Sequence, residues 1–364
     1  MENWLYKIGL TLLPNVGPIT AKNLISYCGS PEAVFASSTK ALLKIPGIGP
    51  QTAQYIREKQ VLDRAQVEWE LMQSLQITPL YYLDDNYPSR LKYLADSPVL
   101  LYFKGNFDWQ APRMVAIVGT RKPSHYGVAV CEELIEGLKD YQVAIVSGLA
   151  FGIDVCAHRK ALECQIPTIG VMGNGLRYVY PAEHRQVAAQ MLENGGLLSE
   201  YTANTAPERE HFPMRNRIVA GLCDALIVIE TQKRGGSMIT AQLANGYNKD
   251  VFAVPGRVKD KYSEGCNQLI KAHQAALAES VADIAYVMRW EECSKTKAVQ
   301  GAFFQELDEK EQMIISLIGQ GDAVGIDALT ATAKMHNSEM AGLLLELEFK
   351  GLIKALPGNR YALI

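Results

Sequence analysis

The stretch FPMRNRIVAG, residues 212–221, places two arginines and an asparagine between a proline and an apolar run. That spacing predicts Arg215, Asn216 and Arg217 in the first turn of a helix. A helix N-terminus already carries partial positive charge, so two guanidiniums there call for a nearby anion. Four other loops repeat the theme, each after an apolar strand pattern. They are GTRKPS (Gly119, Thr120, Arg121, Lys122, Ser124), SGLAFGID (Ser147, Gly148, Gly152, Asp154), GNGLRYVYPAEHR (Gly173, Gly175, Tyr180, Pro181, Arg185) and TQKRGGS (Lys233, Arg234, Gly235, Gly236, Ser237). Glycine lets a backbone approach closely and presents its N–H groups. Arginine supplies a fork that matches phosphate oxygens. Five such loops along one sheet edge would make a surface for several phosphates.

The same residues admit plainer uses. No GxGxxG follows the first strand, and GTRKPS is not a P-loop. Glu200 and Glu230 end strands at the same edge, so the arginines could instead brace the loops through buried ion pairs. Asp154 and His158, four apart on a helix, could form an acid–base pair, and their plainer reading is an N-terminal cap and a packed or surface histidine. His211 reads as structural. Tyr126, Phe151, Tyr178 and Tyr180 lie near the loops, where the bases of a single strand could stack; Phe151 is assigned to the core.

Stepwise alternation of strand and helix must position these loops. MVAIVGT, VAIVSG, IPTIGVMG, GGLLSEY, DALIVIET and DVFAVPG are apolar strands with helical spacing between most of them. The pattern predicts an α/β fold, a doubly wound and mostly parallel sheet, with ligands beyond the carboxyl ends of its strands. This domain is bounded at 76–290. Before it, LPNVGPITAKNLI and IPGIGPQTAQYI repeat one another, each reading as helix, tight glycine turn, helix. That resembles the helix-hairpin-helix motif and predicts a small all-α domain over 1–75, with Gly17, Gly47 and Gly49 as secondary phosphate contacts. A linker is placed at 291–306. The tail, 307–364, reads as three helices and a hairpin wing around PGN. Asp308 and Glu311 are the cap and first-turn acid of the first of these. The third helix carries Glu339, Glu346 and Glu348 with only Lys350 basic, favouring a structural or protein-contact role over duplex reading.

Composition limits the choices. The 364 residues carry a net charge of −3, so nucleic-acid binding must come from a local patch. Seven scattered cysteines form no CxxC pair, which indicates neither a zinc site nor a disulfide framework. No signal-peptide pattern and no apolar run of membrane-spanning length is present, so a cytoplasmic location is expected.

The ordered set VGTRKPSHYG, SGLAFGIDVCAHRKAL, YPAEHRQV, LLSEY, HFPMRNRIVAGLCDALIVIET, RGGSMITAQLA and VFAVPG…GCNQLI resembles the DNA processing protein A family (DprA, also called Smf) over roughly residues 80–275. The flanks resemble members with an N-terminal helical domain and a C-terminal winged-helix-like domain. The resemblance implies an extended Rossmann-like sheet without a cofactor or metal, dimerisation, and single-stranded DNA binding. It also implies loading of the RecA recombinase, over single-strand-binding protein, in natural transformation. The family's principal phosphate arginine falls on Arg121. Its second basic contact, just after YP, falls on Ala182 here, with Arg185 as the substitute. The RNR and [SG]GS elements match Arg215 to Arg217 and Gly235 to Ser237. A competing class is a nucleotide-binding enzyme, since a related fold occurs in lysine-decarboxylase-like phosphoribohydrolases. Their signature PGGxGTxxE ends on a catalytic glutamate whose place is taken by Ala241. A metal-dependent nuclease is set aside because Asp84 and Asp85 would point apart on a strand.

Overall fold

The computed structural model describes residues 2–111, 113–291, 308–319, 323–350, 352–356 and 358–363. Most of the linker expected at 291–306 lies outside them. Contacts divide the chain into two units, Met1–Ser294 and Lys295–Ile364.

The first unit opens with helices. Glu2–Thr11, Pro18–Cys28, Pro31–Ala36, Thr39–Leu42, Pro50–Glu58 and Val61–Ser74 pack around Ile8, Leu24, Phe35 and Ile56, all fully buried. Each repeat starts its second helix with proline directly after a glycine N-cap, Gly17 then Pro18 and Gly49 then Pro50. The missing proline N–H is no loss at that position. The turn before it needs a left-handed residue, supplied by Asn15 (φ 62°) in one repeat and Gly47 (φ 83°) in the other. Asparagine tolerates that conformation better than other residues with a side chain.

The lysines on the two helices that flank the first glycine turn face inward. Lys22 donates to the Leu94 carbonyl (2.7 Å) and the Ser97 hydroxyl (2.8 Å). Burial lowers its pKa. Lys7 lies 3.2 Å from the Asp84 carboxylate and over the Trp4 and Tyr81 rings. Asp84 and Asp85 sit in a turn after a strand and not along it, and Asp84 is spent on this pair.

Among the described residues nine strands form one sheet: β1 Thr78–Tyr81, β2 Leu100–Asn106, β3 Arg113–Gly119, β4 Val143–Ser147, β5 Thr168–Met172, β6 Gly195–Ser199, β7 Ala225–Ile229, β8 Asp250–Ala253 and β9 Ala276–Leu277. Their order is β1-β2-β6-β5-β4-β3-β7-β8-β9. The seven strands from β6 to β9 run parallel, while β1 pairs with β2 and β2 with β6 in antiparallel fashion. This is the expected doubly wound fold with an added antiparallel edge. β4, β5, β6 and β7 are buried at every residue. Helices therefore cover both faces, and the strands read as unbroken apolar runs. The chain winds outward from β3 through β4, β5 and β6, then returns to β7 on the other side of β3. The loops after β3 and β7 thus diverge, opening a crevice at the switch point.

In the second unit Glu309–Ile318, Ile326–Ala333 and Asn337–Phe349 pack Ile314, Leu329, Leu344 and Leu347 beside a sheet of β10 Val324–Gly325, β11 Ile353–Leu356 and β12 Arg360–Leu363, ordered β10-β12-β11. The Asp308 and Glu311 side chains form a capping box. Lys350 is held by Glu311, and Lys310 by Glu339 at 2.6 Å. This is the winged-helix arrangement of three helices and a hairpin.

Candidate nucleic-acid interface

The helix holding Arg215 begins at His211 and runs to Leu222, so Arg215, Asn216 and Arg217 sit in its second turn. Pro213 falls within the first turn, where its missing N–H goes unneeded. The two arginines, alike in sequence, have separate fates. Arg217 is buried, bonded to the Glu200 carboxylate and, at 2.8 Å, to the Asp96 carbonyl. It braces the 200–210 loop and does not line the cavity described below. Arg215 is 4% exposed. Its Nη1 donates to the Gly148 carbonyl at 2.7 Å and to the Val171 carbonyl, joining the loop after β4 to strand β5 itself. Its Nε is buried without a hydrogen-bond partner. Burial lowers the Arg215 pKa and raises that of Asp154, and the attraction between them opposes both shifts.

A cavity of about 500 Å³ opens where these loops converge. Of the expected contacts, Gly119, Arg121, Arg215, Asn216, Gly236 and Ser237 line it. Asp154 and Tyr180 line it as well, with Arg209, Phe212, Ile239 and Thr240. Arg121 is exposed, its guanidinium 6.0 Å from the Phe212 ring centroid. Phe212 in turn tilts against Tyr180 at 5.7 Å. Gly236 begins the helix Gly236–Gly246, which has no side-chain cap, and a Cβ on Gly236 would meet open space. First-turn N–H groups left uncapped by the chain suit an anion. Two exposed guanidiniums, a buried third, a helix end and two aromatic rings thus share one cleft.

Several expected contacts have internal duties instead. The Ser147 hydroxyl donates to the Ile117 carbonyl at 2.6 Å and is fully buried. Ser124 is taken up by Glu230, which accepts its N–H at 2.8 Å and its hydroxyl. Of the two strand-end glutamates that could pair with the arginines, Glu200 holds Arg217 while Glu230 holds Ser124. Thr120 accepts the Lys122 N–H on its hydroxyl and the Ile153 N–H on its carbonyl. Gly148 has its carbonyl on Arg215. Gly175 packs on the Thr202 and Ala203 carbonyls, and Gly235 on the Thr231 side chain. Lys233 lines a separate cleft with Pro255 and Gly256. Lys122 and Arg185 are exposed and outside the cavity. Phe151 is 44% exposed and set edge-on to His184, not in the core. Tyr126, Tyr178 and Tyr180 are half-exposed. His158 is fully buried on Thr168, as a packed histidine. No sequence signal marks Arg209, because its loop carries no glycine and the helix begins at His211, ahead of the turn that the arginines indicate.

Gly152 holds φ 83°, and a Cβ there would press on the Thr120 carbonyl and the Arg121 backbone. Gly152→Ala is expected to destabilise the fold by about 1–3 kcal/mol and to displace Arg121, read by urea unfolding.

A family model described as DNA recombination-mediator protein A matches residues 78–289. The chain belongs to this family. Models of the DprA winged helix domain and of the SAM-like helix-hairpin-helix tandem match residues 304–359 and 8–59. The DNA processing protein DprA of Streptococcus pneumoniae is 44% identical over 189 residues, 52% of this chain and 67% of the relative. A crystal structure of DprA from that organism superposes with a TM-score of 0.68 at 33% identity, covering 79% of this chain and 98% of that one. DNA processing protein A of Helicobacter pylori, solved for its single-stranded DNA binding mode, superposes with a TM-score of 0.54 at 32% identity, covering 59% and 98%. Ala241, at the place of the phosphoribohydrolase glutamate, is fully buried in its helix. No helix among the described residues is long and apolar enough to cross a membrane.

Proposed function

We propose that this chain binds single-stranded DNA by its phosphates along the carboxyl edge of the sheet, with Arg121 and Arg209 as the exposed cations. Gly236 and Ser237 offer the helix end to a phosphate, and Tyr180 and Phe212 offer ring faces to bases. Arg215 shapes the floor. The observation that carries this reading is the convergence of those groups on one cavity at the switch point. The Helicobacter pylori relative supports the choice of ligand. The chain then acts as a recombination mediator, a cytoplasmic homodimer that protects incoming strands and loads RecA onto them over single-strand-binding protein in natural transformation. That part rests on family membership. Gly17, Gly47 and Gly49 offer a secondary backbone contact, with Lys7 and Lys22 withdrawn from it.

Fluorescence anisotropy with labelled oligo-dT tests the reading. Affinity is expected to fall linearly in log–log form with salt. Arg121→Ala should weaken binding to all sequences alike and reduce the salt slope by about one. Binding that survives Arg121→Ala unchanged would place the site elsewhere on the chain.

A further inference from the structure

Glu230 follows the last residue of β7 and holds φ 51°, a left-handed conformation that costs energy for a residue with a side chain. Such strain persists only where the surroundings impose it. Here the surroundings are the start of the helix His125–Leu138. Ser124 caps that helix, and its own N–H and hydroxyl are both held by the Glu230 carboxylate. Gly127, in the first turn, has no side chain where a Cβ would strike Glu230. Glu230 is 4% exposed, and its carboxylate bridges the two loops that diverge at the switch point. In an open α/β sheet the helix end after the first strand is where a ligand phosphate ordinarily sits. In this chain a side chain of the protein already fills it.

We infer that Glu230 is a positioning residue for DNA binding: its carboxylate stands in for a phosphate at the helix His125–Leu138 and fixes the 119–124 loop so that Arg121 faces the cavity. The inference rests on the reading of Arg121 as a phosphate contact. It has two consequences. Nucleotide phosphates are kept off that helix end by like charge, and the strand is directed to Arg121 and to the neighbouring helix at Gly236. The orientation of Arg121 also depends on a group that never touches DNA.

Glu230→Gly separates this role from plain structural support, because glycine relieves the left-handed strain while removing the carboxylate. The variant is expected to remain folded at the temperature of the binding assay, since the relieved strain offsets part of the lost clasp. Its affinity for oligo-dT should nevertheless fall about tenfold, with the salt slope reduced by about one, as for a lost phosphate contact. Arg121→Ala should add little in the Glu230→Gly background, and Glu230→Gln, which keeps an acceptor for the Ser124 N–H, should restore most of the binding. Hydrogen exchange reads the clasp without DNA: the 119–127 amides should exchange faster in Glu230→Gly. Wild-type or tighter binding by Glu230→Gly, while Arg121→Ala alone still weakens binding, would overturn the inference and leave the proposed function standing. If Arg121→Ala alone changes nothing, the proposed function fails. The exchange result then decides the clasp, and unchanged protection overturns it.

Discussion

Arg215→Ala should lower the free energy of unfolding by on the order of 3–5 kcal/mol, the range for removing one member of a buried charged network. Arg215 is almost wholly buried, and its guanidinium ties the Gly148 carbonyl, just after β4, to the Val171 carbonyl in β5. Removing it strands both carbonyls. It also leaves Asp154 without the cation that opposes its desolvation. Gly148 has no Cβ because one would overlap the guanidinium, so the pocket for this side chain is built into the backbone. Urea unfolding of Arg215→Ala, Asp154→Asn and the double variant forms the cycle. The double variant should lose less than the sum of the singles, since the two groups attract one another. A loss below about 1 kcal/mol for Arg215→Ala would show that solvent or loop movement replaces the guanidinium.

Acid should weaken the fold well above the range where carboxylates alone act. Burial first, then the nearby Arg215 and His184, push the His158 pKa from 6.5 down to about 3. The unfolded chain therefore holds a proton on this residue between those values that the native chain does not. Stability from this group is complete above pH 6.5 and is lost as pH falls toward 3, by on the order of 4 kcal/mol at the limit. The raised Asp154 pKa has the opposite sign, because that group resists losing its proton as pH rises. The comparison is therefore made at one residue. Wild type should lose stability between pH 7.5 and pH 5, and His158→Asn should show a flatter profile over the same interval. Equal slopes for the two proteins would rule out His158 as the source.

Much of the architecture is legible in the chain because the fold uses local signals. Fully buried parallel strands must be continuous apolar runs, so β3 to β8 stand out from MVAIVGT to DVFAVPG. β1 and β2 pair antiparallel at the edge and carry no such signature. The glycine turns repeat in sequence because Asn15 and Gly47 meet the same left-handed requirement. The site is only half legible. Arg215 and Arg217 lie two apart on one helix and are chemically identical in sequence. One reaches back to Gly148 and Val171, and the other to Glu200 and Asp96. Only the three-dimensional neighbourhood separates a cavity floor from a loop brace. Ser124 and Ser147 look like phosphate ligands because their hydroxyls follow strands. Their partners, Glu230 and Ile117, are 106 and 30 residues away. Arg209 and Phe212 enter the cavity because the helix starts at His211, a boundary that no capping residue announces.

The strand order also bears on how the protein is made. β3 is central, yet its two neighbours arrive at very different times: β4 follows it closely, whereas Val115 waits for Ala225. The Met114 N–H meets Asp224 across 110 residues of chain. At ribosomal rates of about 5–20 residues per second, that edge of β3 stays uncovered for roughly 5–20 seconds. During that time the half-sheet β3 to β6 presents an apolar edge with unpaired backbone groups inside the cell. The helical segment, tied early through Lys7 and Lys22, gains its last tie only when Glu68 meets the Ala203 N–H, 135 residues on. A nascent chain of this protein therefore passes through a long interval in which another unpaired strand, one from a neighbouring nascent chain included, can compete with β7 for the same edge.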